Sequence, residues 1–451
     1  MDLLRSAYSN SSDEEPEPAP EPAPAPAPAP APARPFGFHP PPPKRPRPEN
    51  RTISIPAKSN RSRPPPTEAP VHGRYVSKRE RALLGSGSPS AAVPDHPDTT
   101  APSASTSAAV SCMGSLLDSD LPSDVLSLLR HQTKGHGHLA HIQERLSVAL
   151  KGHTKAVNTI QWSESHAHLL ASASMDHKVF IWNVWSKNHK KARILSHHNA
   201  AVKDVKWSKL GWHVLSCGYD CTSRLVDIEK GIETQVFKED QVVSVVKFHP
   251  DNFNLFLSGG AKGQLRLWDV RTGKATHQYI RQLGPILDLE FSLDGKQFIS
   301  SSDVSFSNIS ENAVIVWDVS RQVPLSNQVY GEAYTCTCIR HHPTEPCFVA
   351  QSNGNYIALF SSNPPFRLDK YKRYEGHGVS GFPIKCNFSL DGEMLATGSS
   401  EGSIYFYKYG SSELLGKTKA YTSPCVDVAF HPTMSNFIAV CSWAGDISVF
   451  E

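Results

Sequence analysis

Two cysteines one residue apart, Cys336 and Cys338, are the nearest this chain comes to a metal-binding pair. On an extended strand their sulfurs fall on one face. Zinc needs a second pair at matching spacing, and none follows, so the pair reads as small buried side chains. Cys217 and Cys221 read the same way. His249-Pro250 and His341-His342-Pro343 stand where strands end and turns begin, and read as turn residues rather than ligands. No G-x-x-x-x-G-K-[ST] or H-E-x-x-H occurs, so the phosphate cradle and the zinc-protease pair are missing. The sequence shows no cofactor fingerprint, and no convergent carboxylates or arginines for a catalytic channel are readable. The expectation is a protein that binds and does not catalyse.

The elements around these residues repeat. Seven short strands recur, VFIW, SRLV, LRLW, VIVW, IALF, IYFY and ISVF, closed by Trp182, Val226, Trp268, Trp317, Phe360, Tyr407 and Phe450. The gaps between the closing residues are 44, 42, 49, 43, 47 and 43. A period in this range marks units that cannot bury their own faces alone. Strands of four to seven residues lie between turns, with no helical period. Many are apolar at consecutive positions, as in Val242 to Val246, which predicts strands covered on both faces.

Composition divides the chain. Of its 36 prolines, 25 precede residue 115, and all eight tryptophans follow residue 150. Residues 1–115 read as a disordered Pro/Ala-rich and basic tail, because alternating Pro-Ala excludes helix and sheet. Residues 34–81 hold 12 Lys or Arg against three Glu, a local balance of +9; this is an import address, a nucleic-acid contact or a solvated basic linker. Residues 116–142 read as a short helix and linker, with the helix over 122–130, where Pro122 and Asp124 suit its start and Arg130 its end. Residues 143–451 hold the repeats. The net charge of +3 is too small to make the whole chain a nucleic-acid binder. No apolar run long enough to span a membrane occurs, the N-terminus lacks a secretory pattern, and the odd, scattered cysteines suit a reducing compartment.

The first unit reads Gly152-His153, then Ser172, Asp176 and Trp182. This pattern resembles WD repeats, which build β-propellers of four-stranded blades. The resemblance covers about residues 143–451 and implies an all-β, seven-bladed WD-repeat propeller behind the tail. It also implies that His153, Ser172, Asp176 and Trp182 form a hydrogen-bonded structural tetrad. The second unit keeps His198, Ser216 and Asp220. In later units Lys262, Glu311, Gly354, Glu401 and Ala444 stand at the Asp position, so those blades are expected to rely mainly on apolar packing. The last unit ends after its third strand, and Arg145 to Leu150 is expected to supply the fourth.

Partner contacts are expected where the GH loops and the turns between second and third strands gather. Tyr219, Lys262, Phe306 and Trp443 are the candidates, with Phe306 in the stretched turn Asp303 to Asn312 and Trp443 either exposed or packed on its neighbour. The phrases FLSGGAKGQLRLWDVRTGK and YEGHGVSGFPIKCNFSLDGEMLATGSSEGSIYFY are similar to a WD-repeat group of second-step pre-mRNA splicing factors. That resemblance implies a nuclear scaffold, or otherwise a cytoplasmic one, acting as a monomer within a larger protein complex of the spliceosomal kind, with direct RNA contact left open. Trp268-Asp269-Val270-Arg271 resembles the motif of cullin-type ubiquitin ligase receptors, although WDVRTG is also a common repeat-end turn.

Overall fold

Each repeat folds into an antiparallel meander, because turns of two to a few residues can join only antiparallel neighbours. The computed structural model describes residues 111–112, 114–130, 144–303, 313–328 and 335–451. The tail, including its basic cluster, and Phe306 lie outside the described residues. Seven sheets stand in Thr100–Glu451, and the described strands form seven blades of a β-propeller.

Strands such as Leu169–Ser174, Cys347–Ser352 and Cys425–Phe430 are buried at every position. Apolar side chains from both faces fill the wedges between blades. Between blades one and two, Ala171 and Ile181 meet Val202, Val205 and Val214. Between blades seven and one, Val426 and Ala439 meet Ile160 and Leu170. A fully buried Val, Leu, Ile or Phe contributes about 1.5–3 kcal/mol relative to exposure, so the wedges hold the ring and no blade is self-sufficient.

The ring closes across its chain ends. Leu146–Leu150 forms the outer strand of blade seven, with Leu146 opposite Phe450 and Leu150 opposite Ile447. Arg145 and Glu451 exchange both backbone bonds, at 3.2 and 2.8 Å. The pairing covers an edge that would otherwise recruit other strands.

The segment ahead of the closing strand is also part of the disc. Ser111–Cys112 pairs with the outer strand Lys191–Leu195 and makes blade one five-stranded. Helix α1, Ser123–Arg130, starts within a residue of the sequence expectation. It lays Val125, Leu126 and Leu129 on the cluster that contains Leu121, Trp162, Trp185 and Phe437. Asn183 Nδ2 donates to the Ser115 and Leu117 carbonyls at 3.1 and 3.2 Å. Asp120 accepts from Ser186 and Asn188.

Candidate interaction surfaces and the central channel

In blade one a single hydrogen-bond chain crosses the sheet. Trp182 Nε1–H donates to Ser172 Oγ at 2.8 Å. Ser172 Oγ is 2.8 Å from His153 Nε2, and His153 Nδ1 is 2.8 Å from Asp176 Oδ2. With Nδ1–H donating to the carboxylate, Nε2 is left to accept the serine proton, so one tautomer satisfies every member. Burial opposes ionisation of Asp176, yet the bonds from His153 and the Thr154 N–H hold its carboxyl below the usual range. Every member of the chain has a buried partner, so it secures the loop between strands.

Blade two repeats His198–Asp220 at 2.9 Å and His198–Ser216 at 2.8 Å. Arg224 bonds both Asp220 and Glu233, at 3.4 and 2.7 Å. The later blades keep more polar structure than the sequence suggests. Trp268 and Trp317 still donate to Ser258 and Ser300, each at 2.9 Å. In blade six His377 Nδ1–H donates to the Tyr407 hydroxyl at 2.9 Å, and Gln351 Nε2–H donates to His377 Nε2 at 2.9 Å. Tyr407 thus stands where tryptophan stood and passes its own proton to the Glu375 carbonyl. The expectation of mainly apolar packing is corrected there.

Cys336 and Cys338 are also corrected. The ladder slips by one residue between them. Cys336 packs between blades four and five, and Cys338 between five and six. A bulge re-aims the residue beyond it, so the two sulfurs do not share a face. Among the described residues, no three His, Cys, Asp or Glu side chains gather in a way that could hold a metal ion, and no helix is long and apolar enough to cross a membrane.

The candidate partner residues separate into two kinds. Tyr219, Lys262 and Trp443 are all tied to the loops that lead into the innermost strands. Their N–H groups donate to Ala201 O at 3.0 Å, Gln241 Oε1 at 3.2 Å and Pro424 O at 2.9 Å. Tyr219 is 50% exposed, with Lys203 Nζ 5.7 Å from its ring. Lys262 is exposed and pairs with Asp240 at 3.5 Å. Trp443 is only half-buried, yet it meets Phe382 edge-on at 5.5 Å and packs on the core joining blades seven and one.

The channel holds what sequence reading missed. In six blades the innermost strand slips register just before one position, which Thr159, Asp204, Val245, Asp288, Cys338 and Asp427 occupy; three of the six are aspartates. The three carboxylates act alike. Oδ1 accepts from the N–H of the next residue, at 2.9–3.0 Å. Oδ2 accepts from a strand of the following blade: Val246 at 3.2 Å, Ile339 at 2.9 Å and Ile160 at 3.1 Å. Cations complete the set. Asp204 pairs with Lys206 and Asp288 with Arg340, each at 2.7 Å, and Asp427 lies 3.8 Å from Lys385. Glu290 bridges Lys247 at 2.7 Å and Arg340 at 3.7 Å.

So the expectation that no ionisable set converges at the channel is overturned. Burial opposes the charge on Asp288, but Arg340 and Lys385 hold its carboxyl below the ordinary range. Burial likewise opposes the charge on Lys385, and Asp427, Asp204 and Asp288 raise it. Both oxygens of each carboxylate accept from backbone amides, with a cation alongside. The carboxylates lace blade two to three, four to five and seven to one. The only trace in the sequence is a lone Asp inside an apolar strand, as in VKDVKW, ILDLEF and CVDVAF.

The channel opens into a funnel of about 480 Å³, rimmed by Lys206, Lys247, Glu290, Arg340 and Asn387. A second hollow of about 560 Å³ lies between α1 and the first two blades. Leu126, Leu129 and Ile228 line it, with Trp212, half exposed, meeting His166 edge-on at 5.0 Å. On the same side as the funnel, Arg271 bonds Asp269 at 3.2 Å and keeps 70% of its side chain exposed.

Seven closed blades, a buried His–Ser–Asp–Trp chain and channel charges spent on inter-blade bonds define a WD-repeat β-propeller. The family model for the WD domain, G-beta repeat, matches residues 144–183, 232–269 and 369–408. The chain is 37% identical over 314 residues to WD repeat-containing protein 25 of Mus musculus, a match covering 69% of this chain and 58% of that protein. It is 28% identical to pre-mRNA-processing factor 17 of Homo sapiens, over 66% of this chain and 51% of that one. The Saccharomyces cerevisiae pre-mRNA-processing factor 17 is 25% identical, over 66% of this chain and 65% of that one. The matched stretch thus spans between half and two thirds of these relatives.

Proposed function

We propose that the chain is a non-enzymatic protein-interaction scaffold in a nuclear pre-mRNA processing assembly. The rigid disc presents partner-binding faces, Tyr219 and Lys262 on one side and the Trp212 hollow on the other. A tail over residues 1–115, carrying the basic cluster, precedes it, with residues 116–142 as the connection and 143–451 as the disc. The observation that carries this reading is the similarity of the disc to two proteins named as pre-mRNA-processing factors. Proximity labelling in cells tests it: nuclear neighbours that include splicing proteins are expected, and a neighbour set without them overturns it.

The exposed Arg271 guanidinium, fixed by Asp269, supports a second reading as substrate receptor of a cullin-type ubiquitin ligase. Under that reading, affinity purification recovers a cullin adaptor that Arg271→Ala loses.

A further inference from the structure

The outer strand of blade five, Leu368–Glu375, reads LDKYKRYE. Outer strands of other blades loop out one extra residue. In blade two Glu233 and Gln235 face Val226 and Leu225, and in blade six Leu414 and Gly416 face Tyr407 and Phe406. In blade five Asp369 faces Leu359, and the next partner, of Ala358, is Arg373. Three residues, Lys370, Tyr371 and Lys372, leave the ladder where one does elsewhere.

The loop is fixed at its base. The Tyr371 N–H donates to Asp369 Oδ1 at 2.9 Å, and no carboxylate stands among Lys370, Tyr371, Lys372 and Arg373. Lys372 Nζ lies 5.1 Å from the Tyr409 ring centre, and Arg373 lies 4.7 Å from that of Tyr356. Between these anchors Tyr371 projects with 98% of its surface exposed, the highest value among the exposed large hydrophobic side chains of the described residues. Arg367 and Lys370, both exposed, have no ion-pair partner among the described residues.

A ring left this bare adds nothing to folding, since no apolar area is buried. A bare ring amid cations suits one ligand class above others. Single-stranded nucleic acid offers a flat base to stack and phosphates on either side to neutralise. An acidic protein would use the cations but leave the ring's flat face without its match.

We propose that the blade-five bulge is a contact site for single-stranded nucleic acid, with Tyr371 stacking on a base and Arg367 and Lys370 holding the flanking phosphates. The site stands whether or not the chain works in splicing. Its test uses the full chain and a fluorescent twelve-nucleotide oligouridine. Ultraviolet crosslinking followed by peptide mass spectrometry is expected to place a crosslink within residues 367–375. Tyr371→Ala removes that crosslink and weakens binding about tenfold, while Tyr371→Phe keeps both. Arg367→Glu with Lys370→Glu lowers the salt dependence by about one unit of slope in log K against log salt. Crosslinks confined to the basic tail overturn the proposal. Unchanged crosslinking in Tyr371→Ala does so too, as does equal competition by polyglutamate, which would mark an acidic-protein surface instead.

Discussion

Ser172 Oγ serves two buried partners, accepting from Trp182 and donating to His153. Ser172→Ala leaves the indole N–H without an acceptor and the imidazole nitrogen without a donor. An orphaned buried group costs about 1–3 kcal/mol, so urea unfolding should show a loss of that order with the slope unchanged. Buried histidines set a second, pH-dependent term. Burial lowers His377 to about 4, and burial does the same to His431. Both must stay neutral in the fold but charge in the unfolded chain below about pH 6.5. The unfolded state therefore binds more protons between pH 6.5 and 4, and stability falls as pH falls through that window. Each contributes a slope of up to about 1.4 kcal/mol per pH unit. Melting followed from pH 7 to 4 should show this decline, and His377→Gln should flatten it; a decline confined below pH 4 would contradict it. Asp176 and Asp288, held below the ordinary value of 3.8, act in a lower window. Their stabilisation is complete above that value and is lost as pH drops through their own, lower pKa.

At the scale of elements, the closing strand and the inter-blade aspartates bear on the same property, the integrity of the ring. Leu146–Leu150 contributes one ladder and buries Val148 and Leu150 in the cluster between blades seven and one. Deleting residues 145–150 should convert one cooperative melt into a broad one and raise aggregation; an unchanged calorimetric transition would refute that role. Asp288 works within the wall. Asp288→Ala strands the Ile339 N–H and leaves the Arg340 guanidinium only the longer pair with Glu290 at 3.7 Å, and breaking a buried pair from one side costs about 3–5 kcal/mol. Asp288→Asn keeps a carbonyl for Ile339 and should cost less. Equal losses for the two would mean that the charge does not matter. Both effects are readable in equilibrium denaturation.

At the scale of the molecule, the disc is a rigid frame carrying several separate surfaces, and the functional reading depends on which of them partners occupy. The repeat was legible because each blade must end its third strand on a large apolar residue that plugs the wedge, so Trp182, Trp268 and Phe450 recur at near-constant spacing. The blade-one tetrad could be named from the resemblance, since His153, Ser172, Asp176 and Trp182 keep family positions. The channel lacing was not legible. Asp204, Asp288 and Asp427 sit in strands that otherwise look merely buried, and one-residue slips in the ladder aim them at the next blade. The docking of α1 was equally hidden, because an eight-residue helix with an apolar stripe carries no address for where the stripe lies. The blade count and the closing segment were determined by sequence alone, because period and patterning are local properties of the chain. Only tertiary structure decided which side chains face the channel, which tryptophans stay exposed and where Tyr371 projects. Those outcomes depend on strand register, and register is set by how whole sheets pack against one another.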